Sequence, residues 1–468
     1  MKTTYQITSL QLRLKVLLPL MLSALLLFSS NLYAADGAFP DPVTANDIIV
    51  SGNKRSKESF IKKLVIQCAK QGKNTVFIKQ CLEGRQLFKN IEISVNDNSK
   101  LDVKLEDKIT WIVFPIIASG GENEESATGL ILADINTGGR GDLTLLKYEH
   151  QEPSGRDSYE ITYGLLNLGD NLDESSILRL GQVATEYQQF SGTNLIYGTT
   201  EESSLFEVSY SRPEDQFIRL DYSLGYSSTK FNENYIITTP GNPKVREDNP
   251  DATANEIVTY TKGTLGIGYS LAVGAPKEYY NSGIEFSQKL EGDFYDFSND
   301  DRDEQGSADR DKETPNENDI KLSTSFSLGV PSVRNQAFLL YLKHEIRQQD
   351  NAFGSYKIGA QIGSRGIPNS GLWGKEYAVL GMEYQMPVLQ RKKFIWTFAP
   401  FIDLGNMNGI PNTNSAANLP DNISWSAGGL ATYFYFGDVF FPAIGIAFAQ
   451  NNNFYTEGTV NVLIGRSF

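Results

Sequence analysis

Histidine and cysteine, which often carry out covalent chemistry, are scarce in this sequence of 468 residues. It contains two histidines, His150 and His344, and neither has acidic and serine partners in a recognisable order. A serine hydrolase needs such an arrangement of nucleophile, base and acid, and the Gly-x-Ser-x-Gly turn that commonly presents the nucleophile does not occur. We therefore expect no enzyme activity, no cofactor and no metal site, and a hydrolase is the third-ranked function.

The first forty residues have the order of a secretory signal peptide. Basic residues precede an apolar run, Val16 to Phe28, and small and polar residues then lead to Ala34 and Ala35. The run is about half the roughly 20 residues that a membrane-spanning helix needs, so a retained anchor is the less favoured interpretation. We predict a cleaved signal peptide over residues 1–34, followed by a short linker over residues 35–46.

The two cysteines, Cys68 and Cys81, lie close together in this exported chain. Because the periplasm is oxidising, a disulfide bond between them is the default expectation. Two free thiols in a protein core are the alternative. Neither histidine is near them in sequence, which disfavours a metal site.

The composition narrows the class of exported protein. The formal net charge is −14, aromatic residues make up 11% of the chain, and no second long apolar stretch follows the signal peptide. Such a chain is either a soluble periplasmic protein or a transmembrane β-barrel, whose strands each bring one apolar face. The acidic balance argues against a nucleic-acid partner, which would favour a basic surface.

Residues 47–109 predict a small α+β domain with the order strand, helix, helix, strand, strand. The first strand runs from Asp47 to Ser51, and Ser56 then offers an N-cap to the first helix. The second helix runs from about Thr75 to Phe88, because its apolar residues recur at helical spacing. Two strands of alternating apolar and polar residues follow, joined by a turn over Asn96 to Lys100. Their apolar positions are Ile91, Ile93 and Val95, and then Leu101, Val103 and Leu105.

This domain resembles a POTRA domain, the polypeptide-transport-associated module found in front of certain outer-membrane barrels. The resemblance covers the opening Ile48-x-Val50-x-Gly52-Asn53, the middle Leu82-x-x-x-x-x-Phe88-x-x-Ile91 and the closing strand. It implies a periplasmic domain that offers a strand edge to another polypeptide. The βααββ order by itself also fits unrelated small domains.

Residues 110–468 consist of repeated stretches that alternate apolar with polar or small residues. In one stretch Tyr159, Ile161, Tyr163 and Leu165 share one face, while Ser158, Glu160, Thr162 and Gly164 share the other. Only a closed sheet satisfies every backbone group of such strands in lipid. We predict a transmembrane antiparallel β-barrel, and roughly 22 residues per strand and connection give about 16 strands. A soluble β-sandwich is the alternative.

Two polar segments, Asn232 to Asn255 and the acidic Asn299 to Asp319, are predicted to be extracellular loops. They are too charged to lie in lipid or to pack as a core. A calcium site in the acidic segment is less favoured, because the spacing of its aspartates does not match an EF-hand. Those aspartates are Asp300, Asp301, Asp303, Asp309 and Asp311.

Two motifs later in the chain carry a more specific signal, Ser364-Arg365-Gly366-Ile367 and Phe401-Ile402-Asp403-Leu404-Gly405. They resemble motifs of the BamA/TamA superfamily, in which an Arg-Gly loop folds back into the barrel lumen and its arginine meets an acidic residue of the wall. Glu383-Tyr384-x-x-Pro387 resembles the strand between the two motifs. A guanidinium inside a barrel needs a carboxylate to avoid an unpaired buried charge, and glycines let the loop approach the wall closely. The resemblance implies that Arg365 pairs with Asp403, whereas a surface arginine in an ordinary loop is the alternative.

The two ends of the predicted barrel carry further signals. The ending Ile464-Gly465-Arg466-Ser467-Phe468 resembles an outer-membrane targeting signal and the ends of insertase barrels. The first predicted strand, Phe114 to Ala118, contains Pro115, which cannot donate a hydrogen bond to a sheet ladder. In the superfamily the first and last strands meet at a weak seam, so Pro115 and Phe468 are candidate seam residues. A proline at the start of a strand is the ordinary alternative.

The resemblance implies a protein of the bacterial outer membrane that holds its POTRA domain in the periplasm. An opened seam would offer a strand edge to an incoming polypeptide, so we expect insertion of barrel proteins or polypeptide translocation. One POTRA-like domain, where the central insertase has several and two-partner transporters have two, favours an accessory insertase or a transporter with few clients. The expected partners are outer-membrane lipid, unfolded barrel or secreted polypeptides, and a periplasmic protein at the POTRA domain. A gated or passive pore is the second hypothesis.

Overall fold

The structure, a computed structural model, describes most of the chain beyond residue 42. The described ranges are 43–72, 74–85, 87–96, 100–118, 126–152, 155–168, 174–191, 194–214, 217–236, 247–248, 258–276, 280–297, 318–348, 355–359, 364–368, 371–391, 394–411, 420–436, 444–452 and 458–464. The predicted signal peptide (residues 1–34), the five aspartates of the acidic segment, and Gly465 and Phe468 lie outside the described residues.

The N-terminal part of the described chain forms a small α+β domain. A 3₁₀ turn (Ala45–Asp47) leads into β1 (Ile48–Ser51), α1 (Glu58–Gln71), α2 (Thr75–Gly84), β2 (Phe88–Val95) and β3 (Leu101–Asp107). The sheet order is β1-β3-β2, with β1 parallel and β2 antiparallel to β3. The apolar sides of both helices and of the sheet form one buried core.

Two expectations for this domain are wrong in detail. Ser56 is not the N-cap of α1, because the cap is Lys57 and the Ser56 hydroxyl donates to the Asp107 carboxylate at the end of β3. A carboxylate is a stronger acceptor than a neutral group, and it also accepts backbone N–H bonds from Lys54 and Arg55. The second helix stops at Gly84 rather than near Phe88, since Phe88 is buried and begins β2.

A disulfide bond joins the two helices of the domain, as predicted. Cys68 of α1 and Cys81 of α2 are bonded, with their Cα atoms 5.8 Å apart. Cys68 is fully buried, so the bond lies against the core of the domain. It fixes the packing of α1 on α2 where the chain between them is short.

Sixteen strands form a closed antiparallel barrel, which agrees with the predicted number. They are β4 (Trp111–Ala118), β5 (Ser126–Asp134), β6 (Leu143–Glu152), β7 (Arg156–Leu168), β8 (Glu174–Ser191), β9 (Asn194–Pro213), β10 (Ile218–Ile236), β12 (Val258–Pro276), β13 (Asn281–Phe297), β14 (Asn318–Pro331), β15 (Ala337–Arg347), β18 (Glu376–Arg391), β19 (Phe394–Asn408), β20 (Asn422–Phe436), β21 (Ile444–Asn451) and β22 (Gly458–Ile464). A two-residue strand, β11 (Glu247–Asp248), pairs with the end of β10. Two short strands, β16 (Tyr356–Ile358) and β17 (Leu372–Gly374), pair with each other between β15 and β18.

The barrel wall has an apolar outer face and a polar or small inner face, as predicted. On β7 the outward Tyr159 and Ile161 are each 50% exposed, whereas Ser158 is buried. Outward apolar side chains recur on other strands, for example Leu224 of β10 and Leu265 of β12. Within the described residues no helix is long and apolar enough to cross a membrane.

The ring closes with β22 next to β4. The structure describes 7 to 9 residues of each strand that flanks this closure, β21, β22, β4 and β5. The strands from β8 to β13 have 17 to 20 residues, apart from the two-residue β11. Pro115 lies inside β4, paired with Leu130, and not at the start of the strand.

The small domain is docked on the turn between β5 and β6. The backbone N–H of Lys57 donates to the Gly139 carbonyl at 2.8 Å, and the Asn136 side chain donates to the Ser56 hydroxyl at 2.8 Å. Ile135 of the same turn belongs to the core of the domain. These contacts fix the domain to one end of the barrel.

The last two residues of the predicted acidic loop lie in the wall instead. β14 begins at Asn318, and Asp319 is buried and forms an ion pair with Arg347 of β15. The buried carboxylate is accommodated because its charge is compensated by a guanidinium on the neighbouring strand. Similarly, the first five residues of the predicted loop 232–255 continue β10.

Candidate functional site

The chain between β15 and β18, residues 348–375, contacts the inner face of the barrel, and we call it the lumen loop. Its described parts include the β16–β17 pair and residues 364–368. Apolar side chains from the loop and the wall form one buried cluster, in which Ile358, Ile367 and Leu372 pack with Tyr377, Trp425 and Phe190. These wall residues lie on β18, β20 and β8, so the loop fills part of the lumen.

Arg365 of the lumen loop is held by Asp403 of β19. The Nε and Nη2 atoms of Arg365 donate to the two carboxylate oxygens at 3.0 and 2.8 Å, and the Arg365 backbone N–H adds a bond of 3.1 Å. Both side chains are at most 1% exposed. This bidentate geometry fixes the direction of the guanidinium as well as its distance.

A second carboxylate, Glu383 of β18, completes the site. It accepts a hydrogen bond from Nη1 of Arg365, so one guanidinium contacts two buried carboxylates. The guanidinium also lies over the Phe401 ring, 3.5 Å from its centroid, where the negative face of the ring favours a cation. The three ionised groups leave a formal charge of −1 in the cluster.

Neutral donors from the wall compensate this excess of negative charge. The Tyr341 hydroxyl donates to Asp403 at 2.9 Å, and the Tyr433 hydroxyl donates to Glu383 at 3.0 Å. The Gln385 amide donates to the other oxygen of Glu383 at 2.7 Å. Hydrogen bonds of this kind are needed because carboxylates removed from water keep their demand for donors.

Small residues make room for the loop, as the two motifs suggested. A Cβ on Gly366 would lie 2.4 Å from the Cβ of Ala427, and a Cβ on Gly405 would lie 2.0 Å from the ring of Trp425. Trp425 in turn donates from Nε1 to the Ser364 hydroxyl at 3.0 Å. A larger side chain at either glycine would push the loop or the indole ring out of place.

The loop also contacts the last described strand of the barrel. The Thr459 hydroxyl of β22 donates to the Arg365 carbonyl at 2.6 Å, and Gly366 lies against Asn451 of β21. The tip of the loop therefore touches every wall strand from β18 to β22. Its contacts reach the strand that closes the ring against β4.

The structure brings together Arg365, Gly366, Phe401, Asp403 and Gly405, which the two motifs singled out. Sequence reasoning did not assign roles to Glu383, Tyr433 or Thr459. A signal was present for Glu383, since it opens the motif between the two others and shares the inward parity of Gln385 on β18. Thr459 offered no such signal, because its contact with the loop depends on where β22 lies in the closed ring.

Each histidine contacts a carboxylate on a neighbouring strand. His150 Nδ1 lies 2.9 Å from Asp157, and His344 Nε2 lies 2.9 Å from Glu376. The sequence concealed these contacts because they form across neighbouring strands. Asp157 also accepts a hydrogen bond from the Tyr148 hydroxyl at 2.8 Å. Both pairs lie on outward positions of the wall, away from the lumen loop.

The predicted seam and targeting residues are only partly described. Pro115 faces outward on β4 and Ile464 is the last residue of β22, whereas Gly465 and Phe468 lie outside the described residues. The structure thus puts β4 and β22 side by side at the closure of the ring. The contacts of the C-terminal phenylalanine stay a prediction.

Comparison with known proteins gives likeness in fold only. No family model matches the sequence, and no curated protein matches it. Among solved structures, CdiB from Acinetobacter baumannii is 10% identical with a TM-score of 0.49, and the matched region covers 89% of this chain and 72% of that one. BamA from Haemophilus ducreyi lacking POTRA domains 1–3 is 13% identical with a TM-score of 0.47, and the matched region covers 89% of this chain and 84% of that one. CdiB from Escherichia coli is 13% identical with a TM-score of 0.51, over 89% of this chain and 75% of that one, so the present chain shares the fold of that protein.

Proposed function

We propose that this protein is an outer-membrane barrel of the BamA/TamA superfamily that assists the insertion of barrel proteins or the passage of polypeptide. The signal peptide would export it, and the small domain would act in the periplasm as a single POTRA domain. No covalent step is needed for this role. Its partners would be the lipid of the outer membrane and polypeptides that present an unpaired strand.

The observation that carries this proposal is the ionic cluster of the lumen loop. Arg365, Asp403 and Glu383 are buried in the lumen, where an ordinary pore would leave the charges in water. Burying three ionised groups requires a specific geometry and complete hydrogen bonding. The cluster holds the loop against the five strands that end at the closure of the ring, so the loop and the seam form one structural unit.

A permanently open pore is less well supported. The lumen loop packs Ile358, Ile367 and Leu372 into a buried cluster with wall residues, and Leu372 is 1% exposed. The packed loop reduces the space through which solutes could flow. A gated pore would share this loop, and it is separated from the proposal by the experiment below.

The test is quantitative proteomics of the outer membrane and periplasm after deletion of the protein. Complementation uses the wild type, the variant Arg365→Ala and the control Gly428→Ala, where an added Cβ would meet nothing closer than 3.8 Å. We expect a specific set of barrel or surface proteins to be lost, and to return with the wild type and the control only.

An unchanged protein inventory after deletion would overturn the insertion and transport role and favour the pore. Full restoration by Arg365→Ala would show that the ionic cluster is dispensable for the activity. If the inventory changes as expected, site-specific photocrosslinking from Phe114 of β4 identifies the client. A strand added at the seam would lie against this residue.

A further inference from the structure

The lumen loop has a second set of contacts on the far side of the barrel. Lys357 of β16 has a side chain that is 9% exposed and lies over the rings of Tyr187 and Trp373, 4.0 and 5.1 Å from their centroids. Its ammonium group is 4.0 Å from Glu201 of β9. A cation enclosed by two aromatic rings and one carboxylate is held from several directions.

Trp373 of β17 ties the same part of the loop to the wall by hydrogen bonding. Its Nε1 donates to the Gln188 carbonyl of β8 at 3.3 Å, and the indole ring is fully buried. Next to it, the Phe190 backbone N–H donates to the Gly371 carbonyl at 3.0 Å. Lys357 and Trp373 are directly paired in the β16–β17 ladder, so both contacts belong to one unit.

The two sets of contacts lie on opposite sides of the ring. Counting strands from β19, which carries Asp403, through β22 and β4 gives eight steps to β8, half of the sixteen. This path crosses the closure between β22 and β4. The loop therefore joins two arcs of the wall that meet at the seam, one from β19 to β22 and the other from β4 to β8.

The length of the loop fits this span. Arg365 lies eight residues after Lys357 and eight before Trp373, and eight residues can reach at most about 26 Å. A barrel of 16 strands has a backbone diameter of about 32 Å at a spacing of about 4.8 Å and a tilt of about 40°. Side chains at the two ends account for the remainder.

We propose that Lys357 and Trp373 are positioning residues that make the lumen loop a brace across the seam. Arg365 and Thr459 hold the loop to the arc that ends at β22, and Lys357 and Trp373 hold it to the arc that begins at β4. Separating β22 from β4 requires one of the two sets of contacts to break. The inference rests on the proposed function, because it assigns a restraint to the seam which that function opens.

The test measures opening of the purified full-length protein in planar lipid bilayers, without any client. The double variant Lys357→Met and Trp373→Phe removes the charge and the indole N–H while keeping most of the volume. We expect it to raise the frequency of open events about tenfold, which corresponds to about 1.4 kcal/mol. Lys357→Arg keeps a cation over the rings and is expected to behave as the wild type.

Two matched variants calibrate the measurement. Lys289→Met removes a luminal lysine whose partner is Glu291 of its own strand, and it is expected to change nothing. Arg365→Ala frees the other end of the loop and is expected to open the barrel at least as often as the double variant. Folding is checked by the heat-dependent migration of the barrel on gels, and the single variants Lys357→Met and Trp373→Phe are measured in the same way.

Opening by Arg365→Ala together with wild-type behaviour of the double variant and of both single variants would overturn the brace. Equal opening by Lys289→Met would also overturn it, because a general loss of luminal charge would then be the cause. Failure of the proposed function would give a different experimental result. In that case the protein inventory of the deletion strain is unchanged, whatever the bilayer recordings show.

Discussion

Replacing Arg365 by alanine should cost far more stability than neutralising either of its partners. The substitution removes three hydrogen bonds from the guanidinium to Asp403 and Glu383. It leaves two carboxylates buried, at 0 and 1% exposure, with a formal charge of −2. Removing one member of a buried ion pair costs roughly 3–5 kcal/mol, because the remaining charge is uncompensated.

Glu383→Gln should lower the free energy of unfolding much less than Arg365→Ala does. It brings the cluster to formal neutrality and keeps the bidentate contact between Arg365 and Asp403. The amide keeps one oxygen, which can accept from Arg365 and Tyr433, and the bond from Gln385 to the other oxygen is lost. We therefore expect a loss of about 1 kcal/mol, the usual net value of one hydrogen bond. The measurement is the free energy of unfolding in denaturant for the protein in detergent micelles.

Charge reversal refines the same prediction. Exchanging the two residues, Arg365→Asp with Asp403→Arg, should recover only part of the stability that each single reversal loses. The carboxylate introduced at position 365 would face the Glu383 carboxylate, and two like charges in contact repel each other. Adding Glu383→Gln to the exchange should recover more. Equal losses for Arg365→Ala and Glu383→Gln, or no loss for either, would refute the assignment of Arg365 as the centre of the cluster.

Three further predictions concern the small domain and the barrel wall. Replacing Cys68 and Cys81 by alanine should lower the stability of the small domain by about 3 kcal/mol, the chain-entropy value for a loop of this size; thiol labelling of the denatured, unreduced wild type should find no free cysteine. Burial raises the pKa of Asp107, but hydrogen bonds from a hydroxyl and three backbone N–H groups outweigh it and hold the pKa below its usual value. Its stabilising effect is therefore complete above the unfolded pKa of about 4 and lost as the pH falls through the folded pKa; hydrogen exchange of the domain between pH 6 and 3 should show this loss, and Asp107→Asn should reduce it. Gly405→Ala should lower the unfolding free energy of the barrel by about 1–3 kcal/mol through overpacking, while Gly428→Ala, measured in parallel, should leave it unchanged.

The sequence was most informative where a residue has one interpretation in every context. Alternation of apolar residues gave the barrel and the approximate number of strands, because a period of two can be seen without knowing which strands pair. The disulfide followed from compartment and proximity. The pairing of Arg365 with Asp403 was implied by the resemblance of their two motifs to those of the BamA/TamA superfamily.

Prediction was less successful where a contact depends on register between distant strands. Asp319 was assigned to an exposed loop, because only the pairing of β14 with β15 brings Arg347 beside it. Lys357 looks like any lysine of a polar loop until β8 is seen on the opposite wall. Ser56 had the residue type of a helix cap, but the carboxylate of Asp107, 51 residues away, was the stronger partner.

The ionic cluster also explains why a loop that fills part of the lumen need not be a permanent plug. An entirely apolar contact of the same size would stabilise the closed barrel at least as well, since buried ion pairs are often no more stable than apolar replacements. What ions add is direction: Arg365 reaches both carboxylates and the Thr459 hydroxyl in one position only. A loop with one bound position and charged ends can leave the wall for water with less penalty than an apolar plug, because water solvates the separated ions. Under the proposed function, these charges would let the loop leave the wall and return to a single position.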